Sequence, residues 1–154
     1  LVSRTTLKSV NPRPDFTGYP ASRARLQPVD PLFAFGHIGL VSVVVSTTYT
    51  ITVATGTNRY GTGNKYYVDG VVTPMLELSV GNTYKFDQSA GTNGGHPLRF
   101  SSTPNGTHAG GVEYTSGVTT NGVPGNAGAY TQITVPVGAP FLYYYCTNHS
   151  GMGN

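Results

Sequence analysis

The sequence predicts one all-β domain preceded by an extended N-terminal arm. Twenty-one glycines and eleven prolines follow no collagen-like period and indicate many turns, while eleven tyrosines and abundant Thr and Val favour strands. A chain of 154 residues can bury a sizeable core. About eight strand-like segments and no convincing helical period predict a Greek-key two-sheet sandwich over residues 41–154.

Residues 1–40 are predicted to be the arm, because they show no sustained apolar period and carry prolines at positions 12, 14, 20, 28 and 31. Residues 1–29 hold five basic residues and one acidic residue (+4), whereas residues 30–154 hold four basic and five acidic (−1). A disordered tail is the alternative. Spaced aromatic residues favour an arm ordered by a partner. The candidate partner-binding residues are Arg4, Lys8, Arg13, Phe16, Tyr19, Arg23, Arg25, Phe33 and Phe35.

Apolar alternation predicts the first strands of the body. Residues 41–45 and 48–53 are rich in β-branched side chains, and residues 55–64 form a loop or hairpin tip because they hold three Gly and two Asn. A hairpin is predicted over residues 76–86, with its turn at Gly81 and Asn82.

The later strands are predicted in the same way. His96 enters a strand over residues 96–100 from a glycine-rich loop, and its side chain points inward. Residues 101–128 hold seven glycines and form a long connection, in which Tyr114 and Val118 mark a short edge strand. Strands over residues 130–135 and 141–145 complete the domain.

The C-terminal run Cys146-Thr-Asn-His149-Ser-Gly-Met152 carries the most specific chemistry in the chain. A thiolate, an imidazole and a thioether follow one another where an aromatic strand ends in a tight loop. This set and order of donors is typical of a mononuclear copper site. Cys146 is the only cysteine, so its thiol has no disulfide partner within the chain.

Three segments together resemble the cupredoxins, in that family's order, over roughly residues 70–154. They are Val80-Gly-Asn-Thr-Tyr-Lys-Phe86, Gly95-His96-Pro-Leu-Arg-Phe100 and Tyr143-Tyr-Tyr-Cys146-Thr-Asn-His149-Ser-Gly-Met152. The resemblance implies four copper ligands, His96, Cys146, His149 and Met152. The spacing of the last three is similar to the short ligand loop of amicyanins rather than the longer one of plastocyanins.

Two alternatives to a copper centre stay open. Cys and two His are also good zinc ligands, and a Met would then merely sit nearby. The fold could also carry an empty or vestigial site. His108, in a glycine-rich loop, is interpreted as a solvated histidine rather than an extra ligand.

The run Lys65-Tyr-Tyr-Val-Asp-Gly70, with the glycine- and threonine-rich middle and the C-terminal motif, is similar to a module of structural proteins of marine bacteriophages, especially phages of cyanobacteria. This resemblance and the basic arm predict a structural protein of a phage virion or an extracellular fibre. The arm would bind other structural proteins in a multicopy assembly. The alternative is a type 1 copper electron-transfer protein, located in the periplasm.

Other functions are not favoured by the sequence. No run approaches the roughly 18 apolar residues of a membrane-spanning helix, so no membrane partner is expected. No paired acids, phosphate-binding glycine loop or Ser-His-Asp arrangement is recognisable, so we expect no enzymatic activity. The body shows no basic face with stacking aromatics, which disfavours nucleic acid as a partner.

Overall fold

The computed structural model describes residues 44–154, and these residues form strands and turns with two short 3-10 turns, Gly91–Asn93 and Gly106–Ala109. The predicted all-β class is confirmed. The predicted arm, residues 1–40, lies outside the described residues. The strands of the described part are β1 (Ser46–Asn58), β2 (Gly61–Val68), β3 (Val71–Val72), β4 (Thr83–Asp87), β5 (Leu98–Ser101), β6 (Glu113–Tyr114), β7 (Val118–Asn121), β8 (Tyr130–Thr134) and β9 (Tyr143–Cys146).

The strands form two sheets, as the sequence predicts. The larger sheet has the order β3-β2-β1-β4-β8-β7, and the smaller has the order β6-β5-β9. Neighbouring strands run antiparallel except β1 and β4, which are parallel. The Greek-key assignment stays a prediction.

Both sheets contribute side chains to one apolar core. Phe86 of β4 meets Phe100 of β5 edge-on, with ring centroids 5.3 Å apart. On the other side, Tyr66 of β2 lies beside Tyr144 of β9 at 6.4 Å. Each such fully buried side chain contributes roughly 1.5–3 kcal/mol through the hydrophobic effect. The remaining core residues include Ile51, Val53, Val68, Leu78, Tyr84, Leu98, Ile133, Val135, Leu142, Cys146 and Met152.

Of the two alternatives predicted over residues 55–64, the hairpin tip is confirmed and the loop is wrong, because the strands of the first hairpin continue through most of this range. β1 continues to Asn58 and β2 begins at Gly61, so only two residues form the turn. The cross-strand pairing continues through the glycines, with Gly56 opposite Gly63. The hydroxyls of Thr57 and Thr62 also pair at 2.9 Å across the strands.

The hairpin predicted over residues 76–86 is also wrong, since only its second half is a strand. Leu78 is buried in the core while Val80 is exposed. The alternating apolar pattern therefore marks one extended segment that packs against the core, and not a strand of a hairpin. The backbone N–H of Gly81 donates to Val135 at 2.8 Å instead of closing a two-stranded turn. β4 pairs with β1 and β8 instead.

The remaining strand predictions differ in detail. Of the strand predicted at residues 41–45, only 44 and 45 are described, and they precede β1. Tyr114 and Val118 belong to β6 and β7, which lie in different sheets rather than in one edge strand. The strands predicted over residues 48–53, 130–135 and 141–145 are confirmed with shifted ends, whereas β5 begins two residues after His96.

Candidate metal centre

The pairing of β5 with β9 brings the predicted ligand segments together. Cys146 is the last residue of β9 and lies opposite Leu98 of β5. The contact continues one step further, where the N–H of Thr147 donates to the carbonyl of Pro97 at 3.1 Å. His96, just before β5, and the loop after Cys146 therefore meet at the same end of the smaller sheet.

His96, Cys146 and His149 form a compact group of donor atoms. The Sγ atom of Cys146 lies 3.9 Å from Nδ1 of His96 and 3.7 Å from Nδ1 of His149. Metal–sulfur and metal–nitrogen bonds of about 2.3 and 2.0–2.1 Å, at angles of roughly 110–120°, separate such atoms by about 3.5–3.8 Å. All three donor atoms lie within 4.8 Å of one another, so these residues could hold one metal ion.

The three donor residues differ in burial and reach from the core to the surface. Cys146 is fully buried, His96 is half-buried and His149 is exposed. Burial lowers the pKa of His96, and the neighbouring His149 lowers it further. The lowered pKa favours the neutral imidazole, which is the form that binds a metal.

Met152, the fourth predicted ligand, is buried in the same apolar cluster as Cys146. Its carbonyl accepts a hydrogen bond from the N–H of Tyr66 at 3.0 Å, which fixes the backbone there. The structure thus brings three of the four predicted ligands into one group, and an axial thioether from Met152 stays a prediction.

Three side chains from distant parts of the chain hold Gly151, which lies between His149 and Met152. The N–H of Gly151 donates to Oδ1 of Asn105 at 2.7 Å. Its carbonyl accepts hydrogen bonds from Nζ of Lys65 at 2.7 Å and from Nδ2 of Asn58 at 3.1 Å. The ligand loop is therefore fixed through both backbone polar groups of one residue, Gly151.

Lys65 is an unexpected member of this arrangement. Its side chain is 4% exposed, and the one ion pair among residues 44–154 joins Arg99 to Glu113 instead. Burial lowers the pKa of Lys65. The sequence carries no signal for this role, because a lysine in an alternating strand is ordinarily exposed.

The loop that carries His96 is also held by hydrogen bonds from other segments. The carbonyl of His96 accepts hydrogen bonds from the hydroxyl of Tyr66 and from Nε2 of Gln88, both at 2.8 Å. Asn148 of the C-terminal loop donates to the carbonyl of Gly95 at 3.0 Å and so ties the two ligand loops together. Burial and the neighbouring Cys146 raise the pKa of Tyr66 well above its usual value.

His108 is exposed, as the sequence predicts, and lies outside the group of three donors. Its Nε2 lies 2.9 Å from the carbonyl oxygen of Cys146. Its ring also meets the ring of Tyr145 edge-on, with centroids 6.4 Å apart. This histidine therefore contacts the backbone of a ligand residue, a contact that the sequence does not reveal.

No family model matches the chain, and comparisons with curated proteins and with solved structures found no significant match. The resemblances to cupredoxins and to phage modules therefore stay predictions. Within residues 44–154, no helix combines the length and apolarity that crossing a membrane requires. All nine candidate partner-binding residues of the arm lie outside the described residues.

Proposed function

We propose that the domain is a cupredoxin-like Greek-key module that binds one copper ion through His96, Cys146 and His149. The observation that carries the proposal is the position of two imidazole Nδ1 atoms at 3.9 and 3.7 Å from a buried cysteine sulfur. A thiolate suits Cu(I), and imidazoles accept both oxidation states. Met152 would add a weak axial thioether.

Electron transfer is the activity that such a centre supports best. When bound, copper would supply a one-electron couple. The contacts at Gly151, and between Asn148 and Gly95, tie both ligand loops to other segments of the chain. A donor set held in this way needs little rearrangement between oxidation states. His149 is the exposed member of the group and lies nearest to an external electron partner.

Loading the protein with Cu(II) tests the proposal. An intense visible thiolate charge-transfer band is expected, and Cys146→Ser should abolish it. His96→Ala and His149→Ala should weaken it strongly, whereas His108→Ala, a histidine outside the donor group, should retain it. A Cu(II)-loaded protein without the band contradicts the copper proposal, and preferential retention of zinc in the native protein favours the zinc alternative.

A second role, as a structural protein of a phage virion or extracellular fibre, is favoured by the charge distribution. Five basic residues and one acidic residue lie within residues 1–29, whereas the rest of the chain carries a net charge of −1. In this role the arm would bind other structural proteins in many copies and display the metal-binding domain on the virion. The role requires no enzymatic activity.

Deleting residues 1–40 tests the structural role separately. The deletion should abolish incorporation into particles and leave the copper band unchanged. A truncated protein that still decorates particles at normal occupancy would exclude the arm as the anchor.

A further inference from the structure

A second candidate site lies apart from the metal donors, where the turn between β1 and β2 approaches the start of β9. We call it the Arg59 cleft, and its volume is about 290 Å³. It is lined by Asn58, Arg59, Thr73, Met75, Phe141, Tyr143 and Asn154. The cleft combines one cation with aromatic and thioether surface.

Arg59 is held in place by aromatic rings. Its guanidinium carbon lies 4.8 Å from the ring centroid of Tyr60 and 5.3 Å from that of Tyr143. Nη2 donates to the hydroxyl of Tyr60 at 2.7 Å. Within the described part of the chain no carboxylate pairs with it, since the ion pair there joins Arg99 and Glu113. Most of its planar set of N–H donors is therefore left for an anion.

The opposite wall is apolar and open to solvent. The rings of Phe141 and Tyr143 meet edge-on with centroids 5.0 Å apart. Met75 is 75% exposed and Phe141 is 37% exposed. Exposed aromatic and thioether groups beside a cation offer a surface for a flat ring, because sulfur and aromatic edges both attract aromatic faces.

The remaining residues make the cleft rigid. Asn58 donates through Nδ2 to the carbonyls of Gly151 and Gly153, at 3.1 and 2.7 Å. Oδ1 of Asn154 accepts a hydrogen bond from the N–H of Tyr144 at 3.2 Å. Thr73 has a φ of 37°, a strained value for a residue other than glycine, and such strain clusters at ligand-binding sites. A rigid cleft loses little conformational entropy when a ligand binds.

We propose that the Arg59 cleft binds a small aromatic carboxylate. The carboxylate would accept two parallel hydrogen bonds from the guanidinium of Arg59, and the ring would lie against Tyr143, Phe141 and Met75. The volume of about 290 Å³ is at the lower end of the range for small-molecule sites and fits a ligand with one ring. None of the residues that line the cleft is a donor of the metal centre.

The test compares two probes that share a ring but differ in charge, 4-hydroxyphenylacetate and the neutral 2-(4-hydroxyphenyl)ethanol. Each is titrated into the full-length protein, and the methyl resonances of Met75 and Thr73 are followed by NMR. The carboxylate should shift both signals with a dissociation constant of about 1 mM or tighter. The alcohol should bind roughly tenfold or more weakly, since it lacks the charge-assisted hydrogen bonds.

Arg59→Gln should abolish the preference for the carboxylate, so that both probes bind equally weakly. Lys85→Gln is the matched control, because Lys85 also lies over a tyrosine ring, 4.5 Å from the centroid of Tyr130. The control should keep the preference. The proposal would be overturned if the carboxylate caused no shifts, or if both probes bound the native protein equally. It would also be overturned if the shifts depended on protein concentration alone, because a second copy of the chain would then occupy the cleft.

Discussion

Asn105 and Gly151 lie 46 residues apart in sequence, and Oδ1 of Asn105 accepts the N–H of Gly151 at 2.7 Å. The side chain of Asn105 also donates through Nδ2 to Oγ of Ser150 at 2.8 Å. Asn105 has a φ of 61°, a left-handed conformation that asparagine tolerates better than most residues. The shape of the ligand loop thus depends on a residue outside the C-terminal motif.

Asn105→Gly should loosen the ligand loop without straining the backbone, since glycine accepts the left-handed conformation. Loss of two side-chain hydrogen bonds should lower the free energy of unfolding by about 1–3 kcal/mol. Denaturant unfolding of the metal-free protein measures this loss, and the Cu(II) charge-transfer band should change in intensity. Asn121→Ala is the control, because the side chain of Asn121 donates one hydrogen bond, to the carbonyl of Gly128 at an exposed site. Equal effects of the two variants would argue against a specific role of Asn105.

Lys65→Met should alter the pH dependence of the free energy of unfolding in the alkaline range. Burial lowers the pKa of Lys65 in the folded protein below its ordinary value of 10.5. At a pH between the lowered pKa of the folded state and the ordinary pKa of the unfolded state, the unfolded chain binds more protons than the folded one. This lysine therefore makes the free energy of unfolding rise with pH up to about 10.5. The variant should lose that increment, measured by denaturant unfolding at about pH 7 and pH 9.5. Lys85→Met, as control, should retain it.

Ionisation of buried tyrosines should limit stability above about pH 10. Burial raises the pKa of Tyr144 in the folded protein, and its hydroxyl donates to the carbonyl of Pro74 at 2.9 Å. Above the ordinary value of 10 the unfolded chain loses this proton first, so the contribution is present at lower pH and is lost as pH rises. Tyr144→Phe should flatten this loss, followed by alkaline unfolding and tyrosinate absorbance. The half-buried Tyr130, changed to Phe, should leave the loss unaltered.

Gly153→Ala should disrupt the return of the C-terminal segment to the core. A Cβ atom at Gly153 would clash with the backbone carbonyl oxygen of Tyr144. Backbone on one side must move, so we expect a loss of about 2–4 kcal/mol in the free energy of unfolding. At Gly91 a Cβ atom meets nothing within 4 Å, so Gly91→Ala is the control and should remain near native stability. Thermal unfolding of both variants distinguishes close packing from a general effect of alanine.

Local spacing predicts part of the candidate site. Cys146 and His149 are close because the chain turns tightly between them, and the motif alone indicates this. His96 is different: its approach to Cys146 depends on pairing of β5 with β9, and no local pattern specifies which distant strands pair. Only the resemblance to cupredoxins predicted that His96 belongs with the other two.

Other features could not be predicted for identifiable physical reasons. Leu76, Leu78 and Val80 alternate as a strand would, but Leu78 is buried in the core, Leu76 packs partly buried against it, and Val80 is exposed. Lys65 breaks the rule that lysines in half-buried strands face water, because a backbone carbonyl accepts its ammonium group. Such partners are visible only after the chain has folded.

His96 and Cys146 are 50 positions apart in sequence, and this separation has a consequence for the order of folding events. Cys146 and His149 are close in sequence and can bind a metal ion together in the unfolded chain, whereas His96 joins them only when β5 and β9 have paired. Long-range strand pairing is slow compared with local turns. Binding of the metal by all three donors would then be a late event in folding. The appearance of the metal's absorption spectrum would report when the smaller sheet is complete.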